Sequence, residues 1–194
     1  MPYETFANQE YRNFFQTRLE IPLLVRTMRI HRGLRILEIG CGRGVALPRL
    51  TELCVPSRLA AVDIDPELVT LARERARRFG IAADVRLADC RALPFDDAMF
   101  DLVIDFGTCY HIDEPERALL EVSRVLAPGG AFVHESPVAQ MLAHPVRSRG
   151  RRLHFASTMS LALERSALLW QKRRKVAARV PGNLVEESHV AITA

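Results

Sequence analysis

The sequence has little of what membrane, secreted and zinc-binding proteins need. No stretch of its 194 residues approaches the roughly 18 apolar residues of a membrane span. Its first twenty residues include acidic and polar residues where a signal peptide would need a basic start and an apolar run. We therefore expect a cytoplasmic protein without a membrane span.

Cysteine and histidine are also sparse and unpatterned. The cysteines form no CxxC pair, and we expect free thiols at Cys41, Cys54, Cys90 and Cys109. The six histidines lack the spacing of metal ligands, so no bound metal is predicted. His134 lies inside an apolar run and is expected to be a hydrogen-bonded core residue.

The composition of the chain is that of one globular domain. Hydrophobic residues make up 48% and charged residues 26% of the chain, and single cores extend to roughly 200 residues. The net charge of +4 is uneven, because residues 138–194 carry ten basic and three acidic residues. Such a segment suits an anionic partner. We interpret it as a solvated loop and helix face, so nucleic-acid binding is not the favoured prediction.

Short apolar runs alternate with helical patterns along the first two thirds of the chain. Strands are predicted at 35–39, 59–63, 84–89, 100–106 and 131–136. Helices are predicted at 8–30, 45–54, 64–80 and 114–130, the last closed by Pro128-Gly129-Gly130. Pro22 should kink or split the first helix, and Asp65 should cap the third, which ends at Gly80. This alternation predicts an α/β fold: a Rossmann-like, doubly wound, mostly parallel sheet in three α/β/α layers.

The pattern weakens after residue 137. A helix is predicted at 160–179 and a last strand at 184–194, without a second domain. We therefore expect a single domain over residues 1–194. Residues 1–32 would form a helical segment, 33–136 the core, and 137–194 the C-terminal helix and last strand.

Three glycines follow the first strand, at Gly40, Gly42 and Gly44. In open parallel sheets, ligands bind at the carboxyl ends of the strands, where glycine lets them approach the backbone. A dinucleotide fingerprint would need its third glycine at position 45, which is Val45, so a dehydrogenase is disfavoured. A tight turn alone would also explain the glycines. Acidic residues strengthen the cofactor interpretation, because they lie in or after three predicted strands: Glu38, Asp63 and Asp89.

These residues belong to four longer motifs, "LEIGCGRG", "LAAVDIDPELV", "LADCRALPFDDAMFDLVIDFG" and "EVSRVLAPGGAFV". In this order they resemble class I S-adenosylmethionine-dependent methyltransferases, especially the type-11 group that includes quinone C-methyltransferases. The resemblance covers roughly residues 33–136. The aromatic motif typical of base and amide methylation after the fourth strand is absent, because the chain reads "DFGT" there.

The resemblance implies a role for each matching residue. The methionine end of the cofactor would lie against Glu38 and the loop residues Gly40, Cys41, Gly42 and Gly44. Asp63 would bind the ribose, Ile64 would pack on the adenine, and Asp89 and the Cys90 N–H would contact the adenine edge. The backbone near Asp105 and Phe106 would meet the ammonium group and face the methyl.

The resemblance also implies a reaction, an in-line methyl transfer to a small-molecule acceptor. Positioning supplies most of such catalysis, and a base is needed only if the acceptor holds a proton. Tyr110 and His111, after the fourth strand, are the catalytic candidates, although residues there also serve to shape the pocket. Two alternatives stay open: a protein that binds the cofactor without catalysis, and an RNA or protein methyltransferase using the basic C-terminal region.

The family also raises two expectations outside the core. The segment before the first strand often covers the cofactor, so aromatic residues such as Tyr11 are predicted to form a lid, or else to pack on the sheet. Residues 137–194 would wall the acceptor pocket. The usual domain ends in a pair of strands, whereas this chain supplies one, which suggests a shortened sheet edge. A monomer or homodimer is expected.

Overall fold

Five parallel strands form the centre of the protein. The computed structural model describes residues 9–109 and 112–134. Its strands are β1 (Arg35–Ile39), β2 (Arg58–Asp63), β3 (Ala83–Leu87), β4 (Phe100–Asp105) and β5 (Leu126–His134). Their order in the sheet is β3-β2-β1-β4-β5, and every neighbouring pair is parallel. The chain therefore reverses its direction of winding between β1 and β4, which is where open α/β sheets bind ligands.

Helices cover the sheet on both faces, as the alternating pattern predicts. They are α1 (Gln9–Phe15), α2 (Ile21–Thr27), α3 (Leu47–Cys54), α4 (Pro66–Arg78) and α5 (Pro115–Val125). Side chains of α2, α3 and α4 share one buried cluster with Ile36 of β1, while those of α5 share the other with Leu37. This alternation along β1 shows that the strand is buried on both faces, which explains its continuous apolar sequence. The predicted three-layer fold is confirmed.

The N-terminal helix is divided, as Pro22 predicted, but the division lies before the proline. A π-helical turn, Gln16–Glu20, separates α1 from α2, and the N–H of Ile21 donates to the Gln16 carbonyl. Pro22 falls in the first turn of α2, directly after the π-helical turn. Ile21 and Leu24 pack into the sheet cluster, whereas the Phe14 side chain is 60% exposed. Part of the segment is thus core, and its role as a lid stays a prediction.

Local sequence determines the ends of α4. The Asp65 carboxylate accepts the backbone N–H groups of Glu67 and Leu68 at 2.8 and 3.2 Å, and Pro66 begins the helix. After the helix, Gly80 has φ +62° and its N–H donates to the Arg77 carbonyl. Both predicted helix signals are confirmed.

Several predicted boundaries were wrong. The helix predicted to close at Pro128-Gly129-Gly130 already ends at Val125, because Leu126 is extended and pairs with Phe100. The next paired residue is Ala131, opposite Leu102, so residues 127–130 bulge opposite Asp101. Pro128 and the positive φ of Gly129 (+79°) suit such a bulge and could not continue a helix.

The third strand is also shorter than predicted. It ends at Leu87, and Asp89 begins a turn in which its carbonyl accepts the Ala92 N–H. The fourth strand likewise ends at Asp105 rather than residue 106. The helix predicted at 160–179 and the strand predicted at 184–194 lie outside the described residues, as do residues 135 and 136 of the predicted fifth strand.

The edge strand β3 is partly covered by the helix that precedes it. The guanidinium Nε of Arg73, on α4, donates to the Val85 carbonyl at 2.9 Å. Arg86 on the same strand pairs with Asp84 at 2.7 Å. Both features place charged side chains at an edge where backbone groups would otherwise be open.

The glycine loop packs against α4 at Gly44. A Cβ on Gly44 would lie 3.1 Å from the Cα and Cβ atoms of Ala72, which is fully buried. The φ of Gly44 is +66°, in the left-handed region. Gly80 has a similar φ of +62°, but a Cβ there would meet no atom within 4 Å. A side chain at Gly80 would therefore cause backbone strain alone, whereas one at Gly44 would cause similar strain and also a clash with Ala72.

This difference predicts unequal effects of alanine. We expect Gly80→Ala to lower the free energy of unfolding by about 1–2 kcal/mol, through backbone strain alone. Gly44→Ala should lower it by a further 1–3 kcal/mol or so, because the new methyl group would displace α4. Urea denaturation of both variants measures the difference. Equal losses would show that the loop and α4 are not in close contact.

Candidate functional site

The loop after β1 lies at the carboxyl edge of the sheet and has three left-handed residues. Gly40, Gly42 and Gly44 have φ of +65°, +53° and +66°. The Cys41 N–H donates to the Val62 carbonyl at 2.9 Å, which ties the loop to β2. A Cβ on Gly42 would meet nothing within 4 Å, so this glycine faces open space. Gly44 serves packing, whereas Gly42 leaves the backbone accessible to a ligand.

Gly40 is required by a contact across the sheet. A Cβ at this position would lie 1.7 Å from the Thr108 hydroxyl oxygen, which cannot be accommodated without moving the residues after β4. That hydroxyl is also 3.4 Å from the Ile39 carbonyl. The loops after β1 and β4 therefore fit together at Gly40, on either side of the point where the winding reverses.

Asp63 ends β2 and holds the turn around it. One carboxylate oxygen accepts the Gly42 N–H at 2.7 Å, and the other accepts the Asp65 N–H at 3.0 Å. The side chain is 5% exposed. Since each carboxylate oxygen can accept two hydrogen bonds, Asp63 keeps acceptor capacity for a further donor. Ile64, the next residue, is 61% exposed.

Glu38 is the most unusual residue of the site. It lies within β1 at 2% exposure, and its Oε2 has no hydrogen-bond partner among the described residues. Burial, together with the nearby charges of Asp63 and Asp105, raises the pKa of Glu38 to about 8. Without a cationic partner, this carboxyl therefore holds a proton at neutral pH.

Asp89 is engaged by a residue that the sequence analysis did not single out. Arg91 donates from its Nε and terminal nitrogen to the Asp89 carboxylate, at 2.7 Å for the shortest contact. This hydrogen bond lowers the pKa of Asp89 despite partial burial. Arg91 also donates to the Asp113 carbonyl at 3.3 Å, so it joins the loop after β3 to the segment that precedes α5.

Asp105 turns back into its own loop. It is 1% exposed and accepts the backbone N–H groups of Gly107, Thr108 and Cys109. Its Oδ2 is also 2.7 Å from the Nδ1 of His134 on β5. Burial alone would raise the pKa of Asp105, but the His134 contact and the backbone donors outweigh it and lower the pKa. His134 is buried and hydrogen-bonded, as predicted.

The cysteines are free, as predicted, and all four are buried. Burial, together with the nearby Asp89 and Asp105 charges, raises the pKa of the Cys90 thiol to about 11. Burial, together with the Glu38 and Asp63 charges, raises the pKa of Cys41 as well. Both thiols are therefore protonated at neutral pH and serve as small packing groups beside the acidic residues.

Comparison with known sequences gives the site a family. The sequence pattern described as "Methyltransferase domain" matches residues 37–134. The chain belongs to this methyltransferase family. The phosphatidylethanolamine N-methyltransferase of Cereibacter sphaeroides is 34% identical over 104 residues, which are 53% of this chain and 50% of that enzyme. The chain spans half the length or less of the curated relatives it matches.

Solved structures agree on the fold. An S-adenosylmethionine-dependent methyltransferase from Mesorhizobium loti has a TM-score of 0.50 and 27% identity, over 58% of this chain and 51% of that one. The [4+2]-cyclase SpnF has a TM-score of 0.55 and 28% identity, over 59% and 43%. The methyltransferase domain thus has the class I fold of S-adenosylmethionine-dependent enzymes, which confirms the resemblance. No helix within residues 9–109 and 112–134 combines the length and apolar character needed to cross a membrane.

All eleven residues predicted to bind the cofactor are described, and most of them lie at the carboxyl edge of the sheet. They are Glu38, Gly40, Cys41, Gly42, Gly44, Asp63, Ile64, Asp89, Cys90, Asp105 and Phe106. Tyr110 and His111 lie outside the described residues, so their roles stay predictions. Sequence reasoning missed Thr108 and Arg91, for which no pattern gave a signal. It also missed the pairing of His134 with Asp105, although both end neighbouring strands.

Glu38 gives the methyltransferase domain a testable pH dependence. Its pKa is raised in the folded protein, so the folded state binds the proton more tightly between about pH 4.5 and 8. Stability should therefore fall as pH rises through this window, by up to about 1 kcal/mol per pH unit. We expect Glu38→Gln to gain stability relative to wild type as pH increases from 5 to 8.

Urea denaturation at several pH values measures this effect, without added ligand. Glu52→Gln is the matched control, because Glu52 is a solvent-exposed glutamate on α3 paired with Arg49. The control should follow the wild-type pH profile. A Glu38→Gln profile parallel to wild type would show that Glu38 ionises normally in the folded state.

Proposed function

We propose that this domain binds S-adenosylmethionine and transfers its methyl group to a small-molecule acceptor. The observation that carries the proposal is the buried Glu38 carboxyl, whose Oε2 lacks a partner within the described residues. An unpaired buried polar atom is costly, and a bound ligand with a cationic or N–H group would remove that cost. The ammonium group of S-adenosylmethionine is such a group.

The electrostatics of the site favour this cofactor over a dinucleotide. Glu38, Asp63 and Asp105 lie close enough for their charges to act on one another. The charges of Asp63 and Asp105 attract a ligand that carries ammonium and sulfonium groups and repel a pyrophosphate, and Glu38 would release its proton on facing such a cation. The residues present therefore fit S-adenosylmethionine, in agreement with the glycine spacing that disfavours a dinucleotide.

Each remaining residue has a role consistent with its geometry. Asp63 would accept a ribose hydroxyl with the capacity left by its two backbone bonds. Exposed Ile64 would pack on the adenine ring, and the Cys90 N–H would lie at the ring edge. Asp89 would accept the adenine amino group while remaining paired with Arg91. The open face of Gly42 would let the methionine portion approach the backbone.

When bound, S-adenosylmethionine supplies a methyl group already activated by the sulfonium charge. The chain then has to hold the cofactor, align the acceptor and exclude water. The loop after β4 would form the acceptor side of this arrangement, because it leads to Tyr110 and His111 and lies against the glycine loop at Gly40. Tyr110 or His111 would receive a proton if the acceptor carries one, and would otherwise shape the pocket.

The acceptor class is inferred from the relatives. The Cereibacter relative is named for methylation of phosphatidylethanolamine, a lipid amine. We therefore place a lipid or similar small amine first among acceptors to be tried. RNA or protein methylation would rest on the basic segment 138–194 alone. SpnF, named as a cyclase, shows that this fold also supports other reactions, so cofactor binding and methyl transfer need separate tests.

Cofactor binding is tested by calorimetric titration with S-adenosylhomocysteine, the demethylated product. We expect micromolar affinity in the wild type and at least a tenfold loss, about 1.4 kcal/mol, in Asp63→Ala. Asp65→Ala is the control, because Asp65 lies in the same turn but caps α4. It should retain the affinity. Absence of binding to the wild type would overturn the proposal.

Methyl transfer is tested with S-adenosylmethionine labelled in its methyl group. Phosphatidylethanolamine vesicles, small phenols and total RNA are incubated separately with the wild type. We expect label in a lipid or small-molecule product, and none with Asp63→Ala. Label in RNA alone would contradict the small-molecule assignment. Binding without transfer to any acceptor would favour a non-catalytic or cyclase-like role.

A further inference from the structure

Three buried side chains meet where β4 and β5 end. Asp105 and His134 are opposite each other in the parallel register, so their side chains point to the same face of the sheet. Asp105, Cys109 and His134 present ligand atoms that all lie within 4.8 Å of one another. Each is at most 5% exposed. Neither the proposed cofactor contacts nor the proposed base uses His134.

Asp105 is a carboxylate surrounded by donors. One oxygen accepts the N–H groups of Gly107 and Thr108, and the other accepts the Cys109 N–H at 3.0 Å and faces His134 Nδ1 at 2.7 Å. Four donors fill its acceptor positions and keep it ionised. Because an ionised carboxylate only accepts, the Nδ1 of His134 must carry the hydrogen and donate it.

This arrangement fits a hydrogen-bonded cluster better than a metal site. A carboxylate, a thiol and an imidazole would suit zinc. Coordination by Asp105, however, would have to displace one of the four donors that it already accepts. A metal ion also could not enter between Oδ2 and Nδ1 at 2.7 Å, because bonds of about 2 Å to each atom would force them apart.

The donors connect His134 to the cofactor site. The loop after β4, residues 106–109, is folded around the Asp105 carboxylate, and its Thr108 side chain is the group that fills the space above Gly40. A displacement of this loop would therefore change the shape of the glycine loop. It would also move the chain that leads directly to Tyr110 and His111.

We propose that His134 is a positioning residue, which holds the 106–109 loop against the glycine loop through its hydrogen bond to Asp105. The proposed consequence for methyl transfer rests on the function proposed above. The positioning of the loop itself does not, because it follows from contacts within the chain. Phe132 stacks on the imidazole, with ring centres 5.7 Å apart.

Because the contact to Asp105 is made by Nδ1 of His134, one amide substitution should restore it and another should not. In His134→Asn the amide nitrogen can occupy the place of Nδ1 and donate to Asp105, whereas in His134→Gln the amide lies near the place of Nε2. Asn should therefore restore the contact, and Gln should not. Val133→Ala is a control for a cavity in β5, because Val133 is fully buried but belongs to the cluster on the opposite face.

The measurement is amide hydrogen exchange of the full chain by NMR, without ligand. In His134→Ala and His134→Gln we expect Gly107, Thr108 and Cys109 to exchange about 10- to 100-fold faster relative to amides of β1, the range for one charge-assisted hydrogen bond. His134→Asn should remain within about threefold of wild type on this scale. Val133→Ala should accelerate all core amides together, without a selective effect on this loop.

Titration with S-adenosylhomocysteine extends the test to the site. We expect His134→Ala and His134→Gln to bind it at least about threefold more weakly than wild type and His134→Asn. Equal exchange in the Asn and Gln variants would overturn the positioning role. So would stoichiometric binding of added Zn²⁺ that Cys109→Ser abolishes, since it would identify a metal site. If the wild type binds no S-adenosylhomocysteine but the exchange pattern holds, only the proposed function fails.

Discussion

The organisation of this site depends on burying several negative charges at one edge of a sheet. Carboxylates in a low-dielectric environment repel one another strongly, so each needs its own compensation. Asp63 obtains it from two backbone N–H groups, and Asp105 from three backbone groups and His134. Glu38 has no such partner within the described residues and retains a proton instead. The three acids are chemically alike, yet their surroundings give them different states.

The same constraint explains why the loops take their observed shapes. Asp63 can accept the Gly42 N–H only because the loop after β1 turns through left-handed residues. Asp105 can collect its donors only because the chain after β4 curls around it. These two curled loops then meet at Gly40 and Thr108. The hydrogen bonds that compensate the buried charges thus also shape the two loops that fit together. The Gly42 backbone stays open between these loops.

Much of this could be predicted from the sequence, because the relevant signals are local. The apolar runs and the Asp65 cap predict the strands and one helix start correctly, and the glycines predict the left-handed loop after β1. The end of α5 could not be predicted, because the helical pattern continues through Leu126, and only pairing with Phe100 makes that residue a strand. The Arg91, Thr108 and His134 contacts depend on which loops meet in space. No spacing along the chain records this.

The arginine that covers β3 has a consequence for how this domain behaves at high concentration. An edge strand with free backbone groups invites intermolecular β-sheet formation, which is a common start of aggregation. Here another chain would have to break the Arg73 bond to the Val85 carbonyl and bury the charges of Asp84 and Arg86 before it could pair. The described sheet therefore resists fibrillar growth at its β3 edge, whether or not a ligand is bound at the carboxyl ends of the strands.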